Sequence, residues 1–188
     1  MKKNKVFTPP NDWDNGIYSI DGKIPLSLFL AGTIDNGDSV NWQKALIDEL
    51  NEHDTVHPIM IYNPRREEWP SSSDHAEIEK QIEWELYHLE RADLIVMNIL
   101  PDSKSPISLM EIGLFARQHK MIVFCNPNFY RYDNVKVVCR NYDVPLYDTN
   151  DILVIRKKVM ALLASFSGKY YGRRSLERRK QNKNDTSK

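Results

Sequence analysis

Cysteine is scarce: Cys125 and Cys139 are the only two among 188 residues. Two thiols cannot staple a small secreted scaffold, and such sparing use suits a reducing compartment. Long apolar runs are missing too, since none approaches the ~20 residues of a membrane-spanning helix. The basic start MKKNKVFTPP has no apolar stretch behind it of the kind a signal peptide carries. The expectation is a cytoplasmic protein without a membrane partner. Net charge is absent as well: 26 Lys and Arg balance 26 Asp and Glu, so no global field draws the whole molecule to nucleic acid. GxGxxG, HExxH, CxxC and GxSxG do not occur. The five histidines (His53, His57, His75, His88, His119) are scattered without metal-ligand spacing. No metal and no cofactor are expected.

What is present is ordinary for a globular chain: 41% hydrophobic and 28% charged residues, enough for one core. The charge balance is uneven along the chain. Residues 173–188 carry seven basic and two acidic side chains, which leaves the preceding 172 residues at net −5. That tail has almost no apolar residues to pack and reads as disordered. A solubilising terminus explains it, and contact with nucleic acid is the lesser alternative. The expected layout is an N-terminal arm over 1–23, a single domain over 24–170 and a basic tail over 171–188.

Apolar runs over 26–31, 57–62, 93–100 and 121–125 read as strands buried on both faces. A weaker fifth strand falls at 136–138 or 144–146. Helical spacing of apolar residues appears over 40–52, 75–91, from the 101–106 loop to about 118, and over 151–166. Residues 126–134 read as a polar and aromatic loop. Strands alternating with helices imply an α/β domain with a parallel sheet, whose ligands bind beyond the carboxyl ends of the strands. That places the candidate site on the loops that begin at Gly32, Asn63, Pro101 and Asn126.

The segment Gly32–Ser39 resembles a phosphate-binding P-loop, but Asp38 stands where the lysine belongs and would repel the phosphates. Nucleoside triphosphate hydrolysis is therefore rejected. The segment remains either a turn whose N–H groups face a smaller ligand or a plain strand-to-helix connection. Two carboxylates carry more information. Glu85 lies within the stripe Ile78, Ile82, Leu86, Leu89, where a carboxylate is expensive unless paired or functional. The bland alternative is a side chain reaching solvent from the edge of the stripe. Glu111 sits among Leu109, Met110, Ile112 and Leu114 near the start of the helix after the third strand. The helix N-terminus there is expected to favour its ionised form, and Gly113 to admit a close approach by another element or a ligand. An ordinary acidic helix start is its alternative. Trp42 and Trp84 read as packing residues.

These residues fall in an ordered set of motifs: FLAGTI at 29–34, NPRR..W at 63–69, Q..WE...L..AD.I at 81–95 and SPISLMEIG at 105–113. In this order they resemble the nucleoside 2-deoxyribosyltransferase-like family. The resemblance implies a flavodoxin-like, doubly wound parallel sheet of about five strands, without cofactor, often with sites completed by a neighbouring subunit. It implies cleavage of the bond between a deoxyribose and a nucleobase, with Glu111 as nucleophile in a covalent deoxyribosyl-enzyme and Glu85 handling the proton of the base. The sugar then passes to another base, or to water.

The chain departs from typical transferases at two positions. Glu85 replaces an Asp, and Ser105 replaces an Asp that binds the sugar hydroxyls. A serine there resembles the deoxynucleoside 5′-monophosphate N-glycosidases, because a hydroxyl tolerates a phosphate that a carboxylate would repel. Ser103, Lys104 and Ser108 suit the same ligand. The further substrate-binding candidates are Gly32, Thr33, Asn63, Arg65, Trp69 and Asn134, with Asn128 as an alternative to Asn134. Three readings follow: a deoxyribosyltransferase, an N-glycosidase of 5′-monophosphates, and a nucleotide-binding module without turnover. The expected partners are a nucleoside or nucleotide and further copies of this chain.

Overall fold

A computed structural model describes residues 4–13, 25–53, 58–71 and 73–166. His57, most of the arm and the basic tail lie outside the described residues. Six strands form one parallel sheet: β1 Lys5–Phe7, β2 Ser27–Gly32, β3 Met60–Tyr62, β4 Leu94–Ile99, β5 Met121–Cys125 and β6 Leu146–Tyr147. Their order is β1-β3-β2-β4-β5-β6, every neighbouring pair parallel. Without β1 this is the flavodoxin-like arrangement. The sixth strand comes from the segment read as an arm, where Lys5–Phe7 pairs with Met60–Tyr62 along one edge.

Among the described residues five helices cover the two faces: α1 Trp42–Glu52, α2 His75–Arg91, α3 Pro106–Phe115, α4 Tyr132–Asn141 and α5 over 152–166. Alternating strand residues divide the core. Phe29, Ala31, Ile95, Met97, Val123 and Cys125 meet α2, α3 and α4, while Leu28, Leu30, Val96, Ile122 and Phe124 meet α1 and α5. Helix starts follow their capping residues. Asn41 accepts from Lys44 N at 3.0 Å, Asp74 from Glu77 N at 3.2 Å, and Asp151 from Leu153 N at 2.8 Å.

Several sequence expectations change. Residues 136–138 lie inside α4, so the last strand is Leu146–Tyr147, overlapping the alternative at 144–146. The loop expected over 126–134 turns into α4 at Tyr132. The helix running to Gln118 ends at Phe115, and Ala116–Gln118 tighten into a 3-10 turn. On α2 the apolar stripe is buried only in part: Ile82 and Leu86 are exposed, while Leu89 faces inward together with Gln81, Trp84 and His88. Trp84 and His88 win that face by a tilted ring contact (centroids 4.2 Å apart) and by the hydrogen bond from Trp84 Nε1 to Asp12 O at 2.9 Å. Trp42 and Trp84 are both fully packed, and Trp42 donates to Thr33 O at 2.9 Å.

Candidate active site

The chain runs from β2 outward to β3, then returns to the other side of β2 as β4. The topology therefore reverses between β2 and β4, where α/β sheets open a crevice at their carboxyl ends. Gly32 and Asn98 pair across this point. Gly32 has φ 134°, and a Cβ there would come 2.1 Å from Asn98 O, so the position demands glycine. The next residue places the buried Thr33 hydroxyl between two serines of the β4–α3 loop. Thr33 Oγ1 lies 2.7 Å from Ser105 Oγ and 3.0 Å from Ser103 Oγ, and the two serine oxygens are 2.8 Å apart. Leu100 N donates to Thr33 Oγ1 at 3.0 Å. Ser105 holds this place in a left-handed conformation (φ 42°) immediately before α3, and its side chain does not cap the helix. Three hydroxyls thus cluster, buried, at an uncapped helix N-terminus, with buried Ser108 in the first turn.

Glu111 projects from the second turn of α3 and is only 7% exposed. It makes no side-chain hydrogen bond with the described residues. Glu85, on α2 and partly buried, is near enough for its charge to act on Glu111, and it accepts a hydrogen bond from Gln81 Nε2 at 2.6 Å. Burial pushes the Glu111 carboxyl up to about 8, and the charge of nearby Glu85 adds to the rise. Burial likewise pushes Glu85 up to about 7, opposed by the Gln81 hydrogen bond. The helix N-terminus was expected to favour ionised Glu111. Its effect fades beyond the first turn, and desolvation dominates instead. Near neutral pH the pair therefore holds on the order of one proton and one charge between two oxygen-bearing groups. Such a pair can act as a carboxylate and an acid together.

The loops after β2 and β3 form one wall. The Arg65 guanidinium, only 8% exposed, does not point to open space. Nη2 donates to Gly37 O and to Ser39 O, the latter at 2.6 Å, and Nη1 donates to Val40 O and Ser39 Oγ, both at 3.3 Å. Asn63 Oδ1 accepts from Arg65 N at 3.1 Å, an Asx turn that starts this loop. Trp69 lies over the turn, where a Cβ on Gly37 would come 2.7 Å from its Nε1. Asn134 stands elsewhere, in a groove of about 310 Å3 between α3 and α4 lined also by Leu109, Ile112, Gly113 and Arg131. Neither glutamate lines that groove. Gly113 meets open space there rather than a close neighbour. Among the described residues no three His, Cys, Asp or Glu side chains converge to hold a metal ion, and no helix is long and apolar enough to cross a membrane.

Sequence reasoning missed Gln81, which touches Glu85 from the preceding turn. Its spacing of four residues was the available signal, obscured because Gln81 lies off the apolar stripe. Missed also was the engagement of Arg65 within the protein, for which nothing in the local sequence gives a sign.

No curated protein matches this chain. A family model described as nucleoside 2-deoxyribosyltransferase like matches residues 25–129, more than half of the chain, and that span holds both glutamates, the three clustered hydroxyls and the Arg65 wall. The chain belongs to the nucleoside 2-deoxyribosyltransferase-like family.

Proposed function

We propose that the protein breaks the N-glycosidic bond of 2′-deoxynucleosides through a covalent deoxyribosyl-Glu111 and transfers the sugar to another base. What supports this reading is a pair of carboxyls from separate helices, buried Glu111 on α3 and partly buried Glu85 on α2, near enough for the charge of one to act on the other. As the bond from C1′ to the base nitrogen breaks, a Glu111 oxygen bonds to C1′ and the electron pair leaves with the base. Glu85 supplies the proton that the departing nitrogen takes up. Burial makes Glu111 the weaker acid of the two, so attack requires the form with the proton on Glu85 and the charge on Glu111, and the positive charge that develops on the sugar in the transition state stabilises that form. A second base then attacks C1′, Glu85 takes its proton, and the ester to Glu111 breaks. Two displacements preserve the configuration at C1′.

A specific observation favours a second substrate class. The Thr33, Ser103 and Ser105 hydroxyls at the start of α3 offer rotatable donors and a positive helix end, which suit a 5′-phosphate. On this reading the protein is a hydrolase of deoxynucleoside 5′-monophosphates. The large apolar side chains Ile82 and Leu86 on α2, with Ile107, Met110 and Leu114 on α3, are 41–56% exposed and support a homo-oligomer.

The test incubates the protein with deoxynucleosides or their 5′-monophosphates, with and without a second free base, and follows base release and exchange. Turnover that falls by more than about 10³-fold in Glu111→Gln is expected. Full activity in that variant removes the covalent mechanism. Nucleotide binding by calorimetry with no base released would leave a binding module.

A further inference from the structure

Gln81 is a buried amide with an unusual division of partners. It is 6% exposed, and its Nε2 donates both hydrogens, one to Pro64 O at 2.9 Å and one to Glu85 Oε1 at 2.6 Å. Its Oε1 is buried without a hydrogen-bond partner. A side chain chosen for stability alone would be apolar here or fully paired. Turning the amide over does not help, since its oxygen would then face the Pro64 carbonyl. The donor orientation is therefore locked by the backbone immediately after β3, and the orphaned oxygen is the consequence of aiming two N–H groups at two acceptors.

We propose that Gln81 is a positioning residue that ties Glu85 Oε1 to the Pro64 carbonyl and thereby confines the exchangeable proton of Glu85 to Oε2. This rests on the reading of Glu85 as the group that handles the proton of the base. An oxygen already accepting a short N–H bond is the poorer place for a proton, and Oε2 accepts no hydrogen bond from the described residues. A carboxyl with one oxygen anchored presents the other in a single direction, which a proton donor to a departing nitrogen needs. Few other charges of the described residues reach this pair. Glu111 on α3 is near enough to feel the charge of Glu85. On the loop after β3, Arg66 pairs with Glu77 at 3.5 Å, two turns away along α2, and Lys80 holds the other Glu77 oxygen. Arg65 is engaged with the loop after β2.

Two readouts test this on the full-length chain: the Glu85 carboxyl titration followed by carbon NMR with labelled glutamate, and the pH profile of base release. Gln81→Met keeps the length of the side chain and removes the donor. The ionised form of Glu85 loses its hydrogen bond, so its midpoint should move up by about half a pH unit or more. The alkaline limb of kcat should follow it, with kcat lowered by about tenfold or more and KM changed by less than about twofold. In a Glu85→Gln background the same substitution should lower kcat no further. An unchanged Glu85 midpoint, or an equal loss of kcat in both backgrounds, overturns the proposal. Should Gln81→Met fail to fold, Gln81→Leu also lacks the donor and removes the orphaned oxygen, and should move the midpoint in the same direction. Absence of base release in the unmodified protein would refute the glycosidic reading, while the NMR titration would still decide whether Gln81 anchors Glu85.

Discussion

Replacing Glu111 by Gln should make the folded protein more stable, and increasingly so as pH rises. In the unfolded chain the carboxyl ionises near 4.5, whereas burial and the Glu85 charge hold it protonated up to about 8 in the folded protein. Between those values the folded state binds the proton that the unfolded state has released. The stability this protonation contributes is fully present below 4.5, falls as pH climbs through the window, and is gone above about 8. At about 1.4 kcal/mol per pH unit the full loss is roughly 4–5 kcal/mol, an upper limit because relaxation and water entry soften the desolvation. Glutamine has the shape of the protonated acid and no charge to release. Glu111→Gln should therefore match the unmodified protein closely at pH 5 and exceed it by about 2–4 kcal/mol at pH 9. For a chain of this length that is a gain of roughly 5–15 °C in Tm. Urea unfolding followed by tryptophan fluorescence suits the measurement, because Trp42 and Trp84 are both buried. An equal stability difference at pH 5 and pH 9 would show that Glu111 is not desolvated, and would remove the electrostatic basis of the proposed chemistry.

Ser105→Asp should weaken binding of deoxynucleoside 5′-monophosphates by about tenfold or more while changing deoxynucleoside binding much less, because a carboxylate would face the phosphate beside Thr33 and Ser103. Calorimetry with the two ligand classes reads the difference, and equal weakening of both refutes a phosphate subsite at that position. If the exposed apolar side chains of α2 and α3 meet a second copy, the pair Ile82→Asp and Leu114→Asp should lower the sedimenting mass to that of a monomer without loss of helical signal. An unchanged mass places the oligomer contact elsewhere or removes it.

The parts most legible from sequence are those whose pattern has one physical meaning. Strands β2, β4 and β5 are short apolar runs bounded by polar residues, and α2 spans 75–91 as expected because Asp74 caps its start. The edge strand Lys5–Phe7 was not legible, since three residues paired on one side carry no alternation. Helix α4 was misread because Val135, Val137 and Val138 favour a strand locally, whereas Val135 and Cys139, one turn apart, are the pair that packs inward. The two glutamates were legible as carboxylates in apolar company. Their nearness was not, because it depends on α2 and α3 packing on the same face of the sheet. The buried face of α2 was displaced for a related reason: Gln81 and His88 are polar, and only their tertiary partners make them core residues.

The guanidinium of Arg65 has a mechanical consequence. By holding the carbonyls of Gly37, Ser39 and Val40 from the opposite loop, it welds the two connections that follow β2 and β3, with the Trp69 ring laid across the seam. One side of the crevice is then a stiff jaw that does not yield to the shape of an incoming molecule. Whatever accommodation a larger or smaller ligand requires falls to the opposite side, where the start of α3 is held by three hydroxyls that can each rotate to a new partner.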